Sequence, residues 1–178
     1  MDLGAPKYSA YLILVGVSMV ALFATLDYFN PGRSRTESNS RFEIRVTDQP
    51  VFYMQHRYSF ETRLAGESNW RLIRSHVQDD PFEIDDSPIG FPTEEIGYFA
   101  LGNIFAVTKD RGQSWHFFDY TKDSDWGRLN GYTAIITSAV VDKDGNGEMK
   151  LKHFREGEVA RFISSDFGVT WKDAASRE

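Results

Sequence analysis

Two spacings of apolar residues divide this chain. From Tyr8 to Leu26 the residues are uncharged and mostly apolar, with Lys7 before the run and Asp27, Asn30 and Pro31 after it. At about 1.5 Å per residue, such a run predicts a helix of roughly 28 Å, close to the hydrocarbon thickness of a bilayer. Tyr8, Tyr11, Tyr28 and Phe29 bracket it as interfacial aromatics. From Phe42 onward the pattern changes to short alternating or clustered apolar runs between turn signals, as in 42–46 and 102–108, which predicts strands. The β-branched run 132–141 and the run 147–154, joined by a polar turn, predict a hairpin. The stretch 56–72 fits neither period well and reads as strand. With Pro81, Pro88 and Pro92, the acidic stretch 78–95 reads mostly as loop.

These patterns set the organisation: a short tail over 1–7, a membrane signal-anchor helix over 8–29, a tether over 30–41 and one β domain over 42–178. The tether assignment rests on Pro, Gly, Ser, Arg, Thr and Asn with nothing apolar to bury before Phe42. An uncleaved anchor fits better than a signal peptide, because the run is long, one Lys precedes it and Ala24-Thr25-Leu26 makes a poor cleavage site. Lys7 stands against Arg33, Arg35 and Arg41 across the span. A short N-terminal tail favours an inside amino terminus and an inner-membrane, single-pass protein whose domain lies in the periplasm. The chain has no Cys, so the domain depends on its own core.

Within the domain, Thr108-Lys109-Asp110-Arg111-Gly112-Gln113-Ser114-Trp115 and Ser164-Ser165-Asp166-Phe167-Gly168-Val169-Thr170-Trp171 obey one rule: hydroxyl, x, Asp, x, Gly, x, hydroxyl, Trp. Each letter suits a tight β-hairpin. Gly takes positive φ, Asp accepts backbone N–H groups, the hydroxyls tie the turn, and Trp anchors the core. The motif resembles the Asp-box, or BNR repeat, of β-propellers such as sialidases. That resemblance implies a mainly β fold and a structural role for Thr108, Asp110, Gly112, Ser114, Trp115, Ser164, Asp166, Gly168, Thr170 and Trp171. It covers two short motifs. The domain has room for about three blades where a closed propeller needs at least four, so a single antiparallel sandwich or partial-propeller-like domain is expected. The arginine cluster and tyrosine nucleophile of the sialidases are not matched.

Candidate chemistry is sparse. Asp142-Lys143-Asp144-Gly145-Asn146-Gly147-Glu148 resembles the start of an EF-hand calcium loop, with Asp142, Asp144, Asn146 and the Glu148 carbonyl at ligand positions. The twelfth position is His153 where the family has Glu, and Asp-Gly-Asn-Gly also reads as a plain hairpin turn, so no cofactor is required and calcium is the one candidate. His56, His76, His116 and His153 lack ligand spacing, and no nucleophile elbow, phosphate loop or Cys occurs. A non-enzymatic protein is expected.

Charge then suggests a partner. The net charge is −6 and acids predominate from Asp79 to Asp125, which disfavours nucleic acid. Asp79, Asp80, Phe82, Asp85, Asp86 and Phe91 offer acidic and apolar anchors to a basic, toxin-like protein, or else the apolar ones serve the domain's own core. In architecture such a chain resembles the envelope-anchored immunity proteins of type VI secretion, which implies occlusion of a toxin. The alternative is a calcium-responsive or glycan-binding envelope domain using Trp70 or Trp126.

Overall fold

The computed structural model describes residues 32–52, 55–79, 83–131, 134–153 and 157–174. The expected span 8–29 lies outside them, and no helix among the described residues is long and apolar enough to cross a membrane. The domain is mainly β, with three antiparallel sheets that do not close into a barrel.

Each sheet is a four-stranded meander taken from consecutive chain. The first comprises β1 (Arg33–Ser38), β2 (Phe42–Phe52), β3 (Gln55–Leu64) and β4 (Arg71–Gln78). A connection with a 3₁₀ turn at Ile84–Asp86 leads to the second, β5 (Ile89–Gly90), β6 (Gly97–Leu101), β7 (Ile104–Thr108) and β8 (His116–Asp119). Two short helices, α1 (Tyr120–Asp123) and α2 (Asp125–Asn130), lead to the third, β9 (Ala134–Val141), β10 (Gly147–His153), β11 (Gly157–Ser164) and β12 (Lys172–Asp173). Neither helix was expected from the sequence.

Alternation along the strands stacks the sheets. In the middle sheet Phe99, Leu101 and Ala106 pack on Phe42, Ile44, Val46, Tyr58 and Phe60 of the first. Tyr98, Ala100, Phe105 and Val107 point the other way, onto Ile136, Met149, Leu151 and Phe162 of the third. The middle sheet is therefore buried on both faces, which is why 97–101 and 104–108 are apolar almost without interruption. The outer faces carry ion pairs instead: Arg45 with Glu61 at 2.7 Å and Arg63 with Glu43 at 2.7 Å on one side, Glu148 with Arg161 and Lys150 on the other.

The stretch 30–41, expected as a tether, is largely a strand. Arg33–Ser38 forms β1 and pairs along β2 from Arg33↔Asp48 to Ser38↔Glu43. It has no apolar residue because its inward side chains serve polar partners: Arg33 meets Asp48, and Arg35 meets the carbonyls of the 3₁₀ turn. The stretch 56–72 resolves into parts of β3 and β4 around a turn.

Both repeats join the third strand of a sheet to its fourth. The first sheet has a degenerate copy at the same place. Thr62 and Gly66 match the spacing of Thr108 and Gly112, Ser68 matches Ser114, and one inserted residue precedes Trp70. Gly66, Gly112 and Gly168 all have positive φ, at 86°, 81° and 83°.

Candidate functional site

Meander topology sorts the connections to two ends of the stack. One end holds the three repeat turns, the 39–41 and 142–146 turns and the 91–96 loop. The opposite end holds the start of β1, the β2–β3 turn, the acidic connection after β4, the β6–β7 turn and helices α1 and α2.

At the repeat end Asp110 and Asp166 work inside their own turns, while Glu94 and Glu95 pair with Arg41 and Arg111 of neighbouring turns. Asp110 accepts from Ser114 N–H at 2.8 Å, Ser114 Oγ at 2.5 Å and Thr108 Oγ1 at 2.8 Å, and Asp166 accepts in the same way from Thr170 and Ser164. Thr108 Oγ1 in turn accepts from Gly112 N–H at 2.8 Å. Burial works to raise the pKa of both Asp residues, but these hydrogen bonds outweigh it and hold each below the ordinary carboxylate value. The turns also touch each other: Arg71 donates to the Gly112 carbonyl, and Lys109 lies 5.3 Å over the Phe167 ring.

The residues considered for calcium form a hairpin turn. Asp142 Oδ1 accepts from the N–H groups of Asp144 and Asn146 at 2.9 and 2.8 Å, and Oδ2 accepts from Asn146 Nδ2 at 3.0 Å. The Asn146 bonds are the main reason that the Asp142 pKa is lowered. Glu148 lies in β10, held by Arg161. No cluster of three or more His, Cys, Asp or Glu suited to a metal occurs among the described residues.

The opposite end carries the acidic connection that follows β4. Between residues 75 and 108 the sequence has seven acids and no Lys or Arg. Glu83, Glu94 and Glu95 are paired with Arg33, Arg41 and Arg111. The Asp85 and Asp86 side chains are exposed and meet no partner among the described residues. Arg35 fixes their backbone, donating through Nη1 to the carbonyls of Ile84, Asp85 and Ser87, the last at 2.9 Å. Ile84 is fully buried, and Ile89 and Phe91 pack into the same core, Phe91 edge-on to Phe42 at 5.1 Å. Phe91, considered as a partner anchor, thus serves the fold, while Asp80 and Phe82 lie outside the described residues.

Asp79 begins this connection, accepting from Gln55 Nε2 at 3.0 Å, and lines a cleft of about 510 Å³ between β4 and α1. His76, Gln78 and Asp79 form one wall, and Asn103, Asp119 and Lys122 the other. Asp119 caps α1, taking Asn103 Nδ2 at 2.7 Å and Thr121 Oγ1 at 2.6 Å on Oδ1, with Lys122 at 3.1 Å from Oδ2. Burial favours its neutral form, yet Thr121, Lys122 and Asn103 overcome that and lower its pKa.

Beside the cleft lies a pair that sequence spacing did not reveal. Asp48, 2% exposed on the inner face of β2, holds His56 Nδ1 at 2.7 Å and Arg33 at 3.2 Å. A cross-strand register signal existed in Pro50↔His56, but only a settled hairpin makes it visible. Asp48 thereby ties β3, through His56, to β1, through Arg33, and among the described residues no hydroxyl hydrogen-bonds to His56. The two Trp rings considered for sugar are engaged internally: Arg45 and Arg63 sit 4.1 and 4.4 Å over Trp70, and Trp126 packs on Tyr120 at 5.8 Å. No family model, curated protein or solved structure matches the chain.

Proposed function

We propose that this protein is a membrane-anchored, non-enzymatic binding module of a bacterial envelope. Its acidic connection docks a basic protein partner, in the manner of an immunity protein that occludes a toxin. The observation that carries this reading is the pair Asp85 and Asp86, exposed and without a side-chain partner among the described residues, on a backbone that Arg35 holds from β1. Groups fixed before binding lose little entropy on docking, and uncompensated acids steer a basic partner. The cleft edged by Asp79 extends the same surface. The three meanders and their repeated turns support a partial-propeller-like reading of the fold with Asp-box hairpins, and the apolar run 8–29 supports the anchor and the periplasmic side for the domain.

The test is affinity capture by the full-length protein from its own envelope fraction, with and without calcium, comparing wild type with the Asp79→Lys, Asp85→Lys, Asp86→Lys variant. The reading predicts one stoichiometric basic protein, lost from the variant and on raising salt, and indifferent to calcium. Retention of that protein by the variant would overturn docking through the acidic connection. Recovery of polysaccharide alone, and only with calcium, would replace it with the ligand-binding alternative.

A further inference from the structure

We infer that the cleft end of the domain lies against the bilayer, with the β2–β3 hairpin and α2 seated in its headgroup layer. This rests on the membrane anchor of the proposed function and adds a second membrane contact to it. The chain between span and domain is short. Arg33 is already in β1, paired with Asp48, so only residues 30–32 separate the last interfacial aromatic of the expected span, Phe29, from the folded domain. Four fully extended steps reach at most about 14 Å. Arg33 is also at the cleft end, because β1 runs from there towards the repeat turns.

The neighbouring hairpin projects nearly as far. β2 continues from Asp48 to Phe52, which pairs with Gln55, so the hairpin extends four residues past the level at which the chain enters the sheet. At about 3.4 Å per residue this is roughly 13 Å, nearly the full reach of the leash. With the strands standing near the membrane normal, the Phe52↔Gln55 pair is brought within the leash's reach of the expected membrane surface.

The composition of this end fits the same placement. From Gln49 to Gln55 the hairpin carries no charge, and Val51 is 43% exposed. Leu129 on α2, at the same end, is 86% exposed, the highest value among the exposed large hydrophobic residues of the described set. Arg128 beside it is exposed and paired with Asp125. Exposed apolar side chains suit the interfacial layer of a bilayer, where burying each one is favourable and nothing must span. The acidic connection is then presented close to the membrane surface, so the partner meets it there.

The absence of Cys makes the test direct. Full-length protein carrying Val51→Cys, Leu129→Cys or, at the repeat end, Gln113→Cys is labelled with an environment-sensitive fluorophore and reconstituted into phosphatidylglycerol-containing vesicles with nitroxide headgroup lipids. Labels at 51 and 129 should shift to the blue and be quenched severalfold more than the label at 113. Vesicle-bound protein whose three labels all stay water-like would overturn this inference and leave the anchor standing. Protein that fails to float with the vesicles would overturn the anchor and the inference together.

Discussion

Asp110 and Asp166 show how much one residue can specify. Each organises a turn through bonds to a hydroxyl and an N–H four residues on, so Asp110→Ala and Asp166→Ala should each cost about 1–3 kcal/mol in chemical denaturation. Their folded pKa values lie below the ordinary 3.8, so their contribution is complete above about pH 3.8 and is lost as pH falls through the lower folded values. Melting temperature should therefore drop with acid in that range, less steeply in Asp110→Asn and Asp166→Asn. This part of the molecule was legible because the code is local. The backbone beside it was not: Arg111 and Phe167 also take positive φ, at 58° and 68°, which residue type alone does not announce. Gly112 and Gly66 separate strain from crowding. A Cβ at Gly112 would stand 2.5 Å from Thr62 Oγ1, whereas at Gly66 it meets nothing within 4 Å. Both Gly→Ala changes are strained, and equilibrium unfolding should show Gly112→Ala as the more destabilising, by roughly 1–3 kcal/mol beyond Gly66→Ala.

Hairpins and alternating strands were readable from period and turn chemistry, and the element boundaries at 134–141 and 147–153 follow that pattern closely. β1 was not readable. Its sequence Arg-Ser-Arg-Thr-Glu-Ser lacks the apolar face by which strands are recognised, since it covers a polar seam rather than a hydrophobic one. Helices α1 and α2 are too short for a periodic stripe, and only their caps mark them: Asp119 accepting Thr121 N–H and Ser124 accepting Gly127 N–H. In the acidic connection the buried Ile84, the half-buried Ile89 and Phe91 and the exposed Asp85 and Asp86 share one loop composition, and only packing separates them. Arg35→Ala should leave global unfolding almost intact while raising hydrogen exchange across 84–87, because the lost bonds run to that segment's carbonyls. The same variant should weaken partner capture by loosening the pair of acids.

Across the whole molecule, each repeat Trp serves the contact with the sheet before its own. Trp171 of the third sheet packs edge-on to Phe105 of the second at 4.9 Å. Trp115 of the second joins the core shared with the first. Trp70 of the first faces outward, covered by Arg45 and Arg63. Polar outer faces at both ends of a stack terminate it, as capping repeats do. The middle sheet belongs to both cores, which predicts one cooperative unfolding transition. Phe99→Ala, which removes the ring stacked on Phe60 at 4.2 Å, and Phe105→Ala should each cost about 3–5 kcal/mol and lower the single midpoint without splitting it. On the proposed function, partner recognition belongs to the end opposite the repeat turns. Its most direct measurement is photo-crosslinking in intact cells from a reactive side chain installed at Asp86 or, as the counterpart, at Gln113, with the adduct identified by mass. Adducts to one basic protein from position 86 and none from 113 are predicted; adducts to a protein from 113 with none from 86 would contradict it.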